Sequence, residues 1–356
     1  MKIFTEYNLG NIKLKNRIVM APMTRCRAIG NIPNDLMAEF YVQRADAGLL
    51  ITEGVSPSPN GVGYARIPGA YSQEQINGWT KVTNSVHENG GKIFMQLMHT
   101  GRVSHPLNME NGAEILAPSA IALSGEMYTD QEGMQPYPVP KEMNSEDIES
   151  TKKEYIQAAK NAIEAGFDGI EIHGANGYLV DQFINPTTNK RVDEYGGSVE
   201  NRSRFALEVA EGISDAIGAD KTSIRLSPYG TFNDMEHFDS LEETYEYLAT
   251  ELGKLNLAYI HIVDHSSQGA PEVPQSMKDK IKTAFNGTFI ASGGLDKIKA
   301  EIILNEDKGD LVAFGVPFLA NPDLVNKMKN DLPLNNPDFD TFYTPGEKGY
   351  TDYPTA

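Results

Sequence analysis

Short runs of Ile, Val, Leu and Phe recur along the chain, at Ile18–Ala21, Leu49–Thr52, Lys92–Leu97, Gly169–His173, Ser223–Ser227, Ala258–Val263, Thr288–Ala291 and Leu311–Phe314. Runs this short and this uniformly apolar suit parallel strands whose outer faces are covered by helices. Between them lie longer segments with apolar residues at helical spacing, as at Tyr155, Ala159, Ala162 and Ile163. Asn144 or Ser145 ahead of the acidic pair Glu146-Asp147 predicts the start of that helix, and Gly166 predicts its stop. Asn321-Pro322-Asp323-Leu324 predicts a similar start for the last helix. Eight strands alternating with helices predict a (β/α)8 TIM barrel, one domain spanning residues 1–356. Phe4–Leu9 and Ile12–Leu14 flank Gly10-Asn11 and predict an N-terminal hairpin that plugs the barrel floor.

One connection breaks the rhythm. The stretch 100–143, from Thr100 to Met143, holds five prolines and is far longer than an ordinary βα loop, which predicts an insertion after the third strand that serves as a lid. The carboxyl-terminal Pro333–Ala356 carries Phe342, Tyr343, Tyr350 and Tyr353, too aromatic for a disordered tail, so it is expected to pack on the barrel.

With 40% hydrophobic and 22% charged residues the chain can bury a substantial core. Its 31 Lys and Arg against 49 Asp and Glu give a net charge of -18, which argues against nucleic acid and anionic membranes as partners. Met1–Glu6 meets charge before any apolar run, so a cytoplasmic location is expected, as a monomer or small homo-oligomer. Cys26 is the only cysteine, which excludes an internal disulfide and a cluster held by several thiolates; no metal site is expected. The sequons at Asn201 and Asn286 read as chance matches.

In barrels the reacting groups come from the carboxyl ends of strands. Three strands end in polar residues that packing alone would not choose: Gln96, His173 and Arg225. The loops after the last two strands contain Gly293-Gly294 and Gly315-Val316, where glycine lets backbone N–H groups approach a phosphate. No GxGxxG follows a strand, so a mononucleotide or small phosphoester is expected instead of a Rossmann-bound dinucleotide. After the fourth strand, His173, Asn176 and Tyr178 share one glycine-containing loop and together offer hydrogen-bond donors and a phenolic proton to an oxygen-stabilised carbanion.

Several motifs, in order along nearly the whole chain, resemble the Old Yellow Enzyme family: Ala21-Pro22-Met23-Thr24-Arg25, Gln96–Arg102, His173–Leu179 with Asp181-Gln182-Phe183, Asp193–Ser198 with Asn201-Arg202, and Phe318–Leu324. Thr24 resembles the branch with threonine, not cysteine, at that position. The resemblance implies an NAD(P)H-dependent flavin oxidoreductase, an ene-reductase acting on α,β-unsaturated carbonyl compounds, nitro compounds or quinones. It implies non-covalent FMN among Pro22, Met23, Thr24, Gly54, Gln96 and Arg225, with Gly293, Gly294, Gly315 and Val316 at the phosphate. Thr24 would bond the flavin C4 carbonyl, and Arg225 would place positive charge near N1 and O2. By the same resemblance NADPH or NADH reduces FMN, hydride leaves flavin N5 for the alkene, His173 and Asn176 bind the substrate oxygen, and Tyr178 donates the proton; Thr24, Tyr64, Met98 and Tyr343 line the pocket.

Two positions depart from the family pattern. Val316 stands where relatives carry an arginine that pairs with the phosphate; backbone N–H groups, Lys297 and Lys299 are the nearby groups that could compensate. Met98 stands where tryptophan is frequent and suggests a roomier pocket. Rival readings are a glycoside-cleaving barrel using Glu53 and Glu171, and a flavin- or phosphoester-binding protein without catalysis. Glu171 shares a face with His173 but lies deeper, which favours a buried structural carboxylate.

Overall fold

The computed structural model describes all residues, Met1–Ala356. Eight parallel strands close on themselves: β1 (Ile18–Met20), β2 (Leu49–Val55), β3 (Ile93–Leu97), β4 (Gly169–Gly174), β5 (Thr222–Leu226), β6 (Ile260–Ile262), β7 (Phe289–Ala291) and β8 (Leu311–Phe314). The last pairing, Val312 with Ile18 through Phe314 with Met20, seals the ring. Each predicted strand is present with its ends moved by a residue or two, except β2. That strand runs on through Glu53-Gly54-Val55, with a register shift against β3 between Ile51 and Gly54.

The alternating helices are α1 (Asp35–Val42), α2 (Gln73–Glu88), α3 (Ser145–Glu164), α4 (Val199–Ile217), α5 (Leu241–Lys254), α6 (Gln275–Phe285), α7 (Lys297–Asn305) and α8 (Leu324–Lys329). Asn144 caps α3 by accepting from the Asp147 N–H while the Asp147 side chain accepts from Asn144 N–H. These two contacts satisfy donors that a helix start otherwise leaves orphaned. The last helix begins later than the sequence suggests: Pro322 lies ahead of α8, outside it, because Asn321 ends the preceding short helix Val316–Ala320 and receives Lys327 Nζ on its side chain. No helix is long and apolar enough to cross a membrane.

Inside the ring the side chains form two storeys. The lower one is apolar: Val19, Leu49, Ile51, Phe94, Tyr259, Ile290 and Leu311 pack with Leu9 and Leu14. The latter two come from the antiparallel hairpin Tyr7–Leu9 and Ile12–Leu14, which closes the floor as expected. The upper storey is polar. The strand registers set Gln96 beside Glu171, His173 beside Arg225, and Arg225 beside His261.

Two segments outside the barrel build the walls of its mouth. The insertion after β3 forms a hairpin, Glu126–Thr129 with Gly133–Pro136, and a short pair, Leu116–Ala117 with Lys141–Glu142. The C-terminal segment is strapped down by three buried arginines. Arg27 donates to the carbonyls of Thr341, Phe342, Gly346 and Lys348, Arg25 to those of Phe342 and Gly349, and Arg44 to that of Tyr350. Tyr350 is fully buried and stacks on Phe40 of α1 with ring centroids 4.1 Å apart.

Candidate functional site

A cavity of about 1160 Å³ opens at the carboxyl ends of the strands. Ligand pockets commonly span roughly 300–1,000 Å³, so this one has room for two flat molecules, one above the other. Ala21, Pro22, Met23 and Thr24 reach it from the end of β1, Gln96 and Met98 from β3, His173, Asn176 and Tyr178 from β4, and Arg225 from β5. Gly293, Gly294, Gly315 and Val316 form the wall after β7 and β8, while Tyr64 and Tyr343 stand at the opening.

Gly54 is the exception among the residues singled out in the sequence. It does not line the cavity, because Met98 covers it: a Cβ on Gly54 would sit 2.5 Å from Met98 Cε and Sδ. The glycine leaves space for the thioether. The strand register shifts between Ile51 and Gly54, and Gly54 pairs with Gln96 beneath Met98. Lys297 and Lys299 likewise do not reach the cavity; Lys297 Nζ is 2.5 Å from Asp331.

Burial and hydrogen bonding fix the protonation of the central groups. His173 is 3% exposed, and burial together with Arg225, His261 and His265 pushes its pKa well below the ordinary histidine value. Its imidazole is therefore neutral at pH 7. Nδ1 accepts from the Ala175 N–H at 3.3 Å, which puts the ring proton on Nε2, a donor for a bound oxygen. Asn176 adopts φ 59°, a left-handed conformation that asparagine tolerates. Its backbone is pinned on both sides: its N–H donates to Ser227 Oγ and its carbonyl accepts from Asn233 Nδ2. Asp181 holds the same loop, accepting from Gly177 N–H at 2.9 Å and Ser227 Oγ at 3.1 Å.

Below them Gln96 Nε2 donates to Glu171 Oε1 at 2.7 Å, and His261 Nδ1 lies 2.9 Å from Glu171 Oε2. Glu171 is fully buried and Glu53 nearly so, and neither faces the cavity. Glu53 and Glu171 therefore do not form the carboxylate pair that a glycosidase would need at this mouth. Arg225 is different: its Nε is buried with no hydrogen-bond partner. Leaving such a donor unmet is costly, so this cation is set for an acceptor that a ligand brings.

Sequence reasoning missed the loop after β6. Asp264, His265, Ser267 and Gln268 all line the cavity. Asp264 is neutralised by Lys278 Nζ at 2.6 Å, and Ser267 packs over Gly294, where a Cβ would come within 2.5 Å of the Ser267 Cβ. Gly293 and Gly294 have φ of 121° and 57°, so this turn needs glycine for its backbone as well as for space. The strand-end rule applied to Gln96, His173 and Arg225 would also have flagged Asp264-His265. The lid residues Met127 and Tyr137 were beyond reach, because only the folded hairpin brings them to the wall.

Comparison with known proteins decides the family. Residues 2–335 match the model of the NADH:flavin oxidoreductase / NADH oxidase family. The chain belongs to that family, the Old Yellow Enzymes. It is an oxidoreductase. A probable flavin mononucleotide-dependent alkene reductase of Leishmania infantum is 41% identical over 352 residues, covering 97% of this chain and 95% of that protein. The 12-oxophytodienoate reductase 1 of Oryza sativa subsp. japonica is 41% identical over 359 residues, covering 99% and 92%. Among solved structures, morphinone reductase superposes with a TM-score of 0.96 at 40% identity, covering 99% of this chain and 96% of that one. Morphinone reductase in complex with tetrahydroNAD gives 0.95 at 39% identity, covering 100% and 98%.

Proposed function

We propose that this Old Yellow Enzyme is an FMN-dependent ene-reductase that uses reduced nicotinamide to saturate activated C=C bonds of unsaturated carbonyl or nitro compounds. The observation that carries the reading is the pairing of two features on one cavity. An unpartnered Arg225 waits at its base, and a neutral His173 stands 4.8 Å from Tyr178, ring centroid to ring centroid.

The residues present suit a flavin. Arg225 offers the donors and positive charge that an electron-rich ring edge needs, while Pro22, Met23, Thr24 and Gln96 line the wall beside it. Gly293, Gly294, Gly315 and Val316 offer backbone at the phosphate end. When bound, FMN carries two electrons from reduced nicotinamide to the alkene.

The chain's own groups handle the oxygen and the proton. His173 Nε2–H and the Asn176 amide hold the carbonyl or nitro oxygen, where negative charge grows as the double bond is reduced. Each such donor contributes about 3–4 kcal/mol in well-preorganised sites. Burial and the nearby Arg225 keep His173 neutral, so the imidazole donates a hydrogen bond and keeps its proton. Tyr178 is 6% exposed, and its phenol gives the proton to the α-carbon. Burial keeps that phenol protonated far above pH 7.

The test is Tyr178→Phe in the FMN-loaded enzyme. Reoxidation by 2-cyclohexenone should slow by about 10²–10⁴-fold, the share of a general acid, while flavin bleaching by NADH stays close to wild type. Equal slowing of both half-reactions would refute the assignment.

A further inference from the structure

The Tyr178 hydroxyl makes one hydrogen bond within the chain, to Tyr64 Oη at 2.9 Å. The rings meet edge to face, with centroids 6.2 Å apart and planes at 89°. Tyr178 is buried beneath the lid with Val62, Met98, Val103 and Met127, whereas Tyr64 is only half-buried at the edge of that cluster. Tyr64 therefore stands between the proton donor and the water at the mouth. From the function proposed above, which this inference rests on, Tyr178 turns its hydrogen toward the substrate carbon. Its oxygen must then accept from a neighbour, and Tyr64 is the neighbour in place.

We propose that Tyr64 is a positioning residue that relays a proton to Tyr178 as Tyr178 protonates the substrate. The Tyr178 O–H bond breaks while a C–H bond forms at the α-carbon. The Tyr64 O–H bond breaks as the Tyr178 O–H bond re-forms, and Tyr64 recovers its proton from water. No electrons change owner in these steps. Without the relay, a phenolate would be left buried among apolar side chains, a costly state. Burial raises both phenols, so each carries its proton at neutral pH, and either hydroxyl of the pair can donate to the other. The loop that carries Tyr178 is itself held in place, with Asn233 Nδ2 donating to the Asn176 carbonyl at 2.8 Å.

A merely space-filling Tyr64 would keep its role as phenylalanine, which makes Tyr64→Phe the informative change. In stopped-flow work on the FMN-loaded enzyme, the rate of reoxidation by 2-cyclohexenone relative to the rate of reduction by NADH should fall by about tenfold or more. Reoxidation by 1,4-benzoquinone, which needs no proton on carbon, is the reference for an intact pocket and should keep its ratio. In mixed H2O and D2O, the cyclohexenone step of the wild type should show the curved dependence of two protons in flight, and the variant a straight line. If Tyr64→Phe keeps the wild-type ratio while Tyr178→Phe loses it, the relay is wrong and the donor assignment stands. If neither variant loses it, the donor assignment has failed and takes the relay with it.

Discussion

Val316 is the position at which a single substitution should strengthen cofactor binding. It is partly exposed on the cavity wall, directly after Gly315 and at the start of the short helix Val316–Ala320. No lysine lines the cavity, and its two arginines stand elsewhere: Arg225 on β5 beside His173, and Arg66 at the mouth paired with Asp130. On the proposed reading the phosphate end thus rests on backbone N–H groups and on the hydroxyl of Ser267, since Ser292 Oγ donates to the Ile262 carbonyl at 2.6 Å. A charge-assisted contact contributes about 1.5–3 kcal/mol net. At about 1.4 kcal/mol per decade, Val316→Arg should tighten FMN roughly 10- to 150-fold. Ordering the long side chain offsets up to about 2 kcal/mol, which places the expected gain near the lower end. The assay is titration of the apoprotein by flavin fluorescence, with riboflavin as the control because it lacks the phosphate. The FMN gain should shrink as salt rises, and riboflavin binding should not change. An equal gain for both flavins, or none for FMN, would refute this account of the phosphate end.

Three further outcomes follow from the walls of the site. Burial pushes the Glu53 carboxyl up from 4.5 to about 7, against the pull of Arg25 and Arg27. The folded chain then holds a proton that the unfolded chain has released, so stability falls as pH rises from about 4.5 to about 7 and is level above; in Glu53→Gln the melting temperature should lose this part of its pH slope. Arg27→Ala removes the donors that hold the carbonyls of Thr341, Phe342, Gly346 and Lys348. Limited proteolysis between Phe339 and Gly349 should accelerate and the KM for alkene should rise, since Tyr343 rides on that strap; unchanged protease resistance would contradict the clamp. Finally, the exposed carboxylates Glu126 and Asp340 face the cavity opening, and the chain carries a net charge of -18. A 2′-phosphate at about 4 Å from one such charge loses about 1 kcal/mol in water, roughly fivefold, so NADH should outperform NADPH in kcat/KM, with a gap that narrows in high salt and in Glu126→Lys.

The barrel was legible because parallel strands buried on both faces read as uninterrupted apolar runs, and the floor hairpin because Gly10-Asn11 marks its turn. The end of β2 was not. Glu53 and Gly54 interrupt the apolar run, and what keeps them in the strand is tertiary: Glu53 Oε2 accepts from Arg25 N–H, and its own N–H donates to Tyr41 Oη. The same distinction divides the site. Gln96, His173 and Arg225 announce themselves as polar residues at strand ends, a position that by itself implies the mouth. Tyr64 could be placed near the pocket only by resemblance, and nothing in its neighbourhood along the chain says that it meets a hydroxyl 114 positions away. Position on a regular scaffold is therefore readable residue by residue, whereas acidity at the mouth is set by burial and by neighbours from other strands and loops. His173 is neutral because it is buried and because Arg225, His261 and His265 surround it, and the Tyr178 phenol, raised by burial, meets the hydroxyl of Tyr64. The chemistry of this barrel lies in those pairings, and they exist only once loops from opposite sides of the ring have closed over the same space.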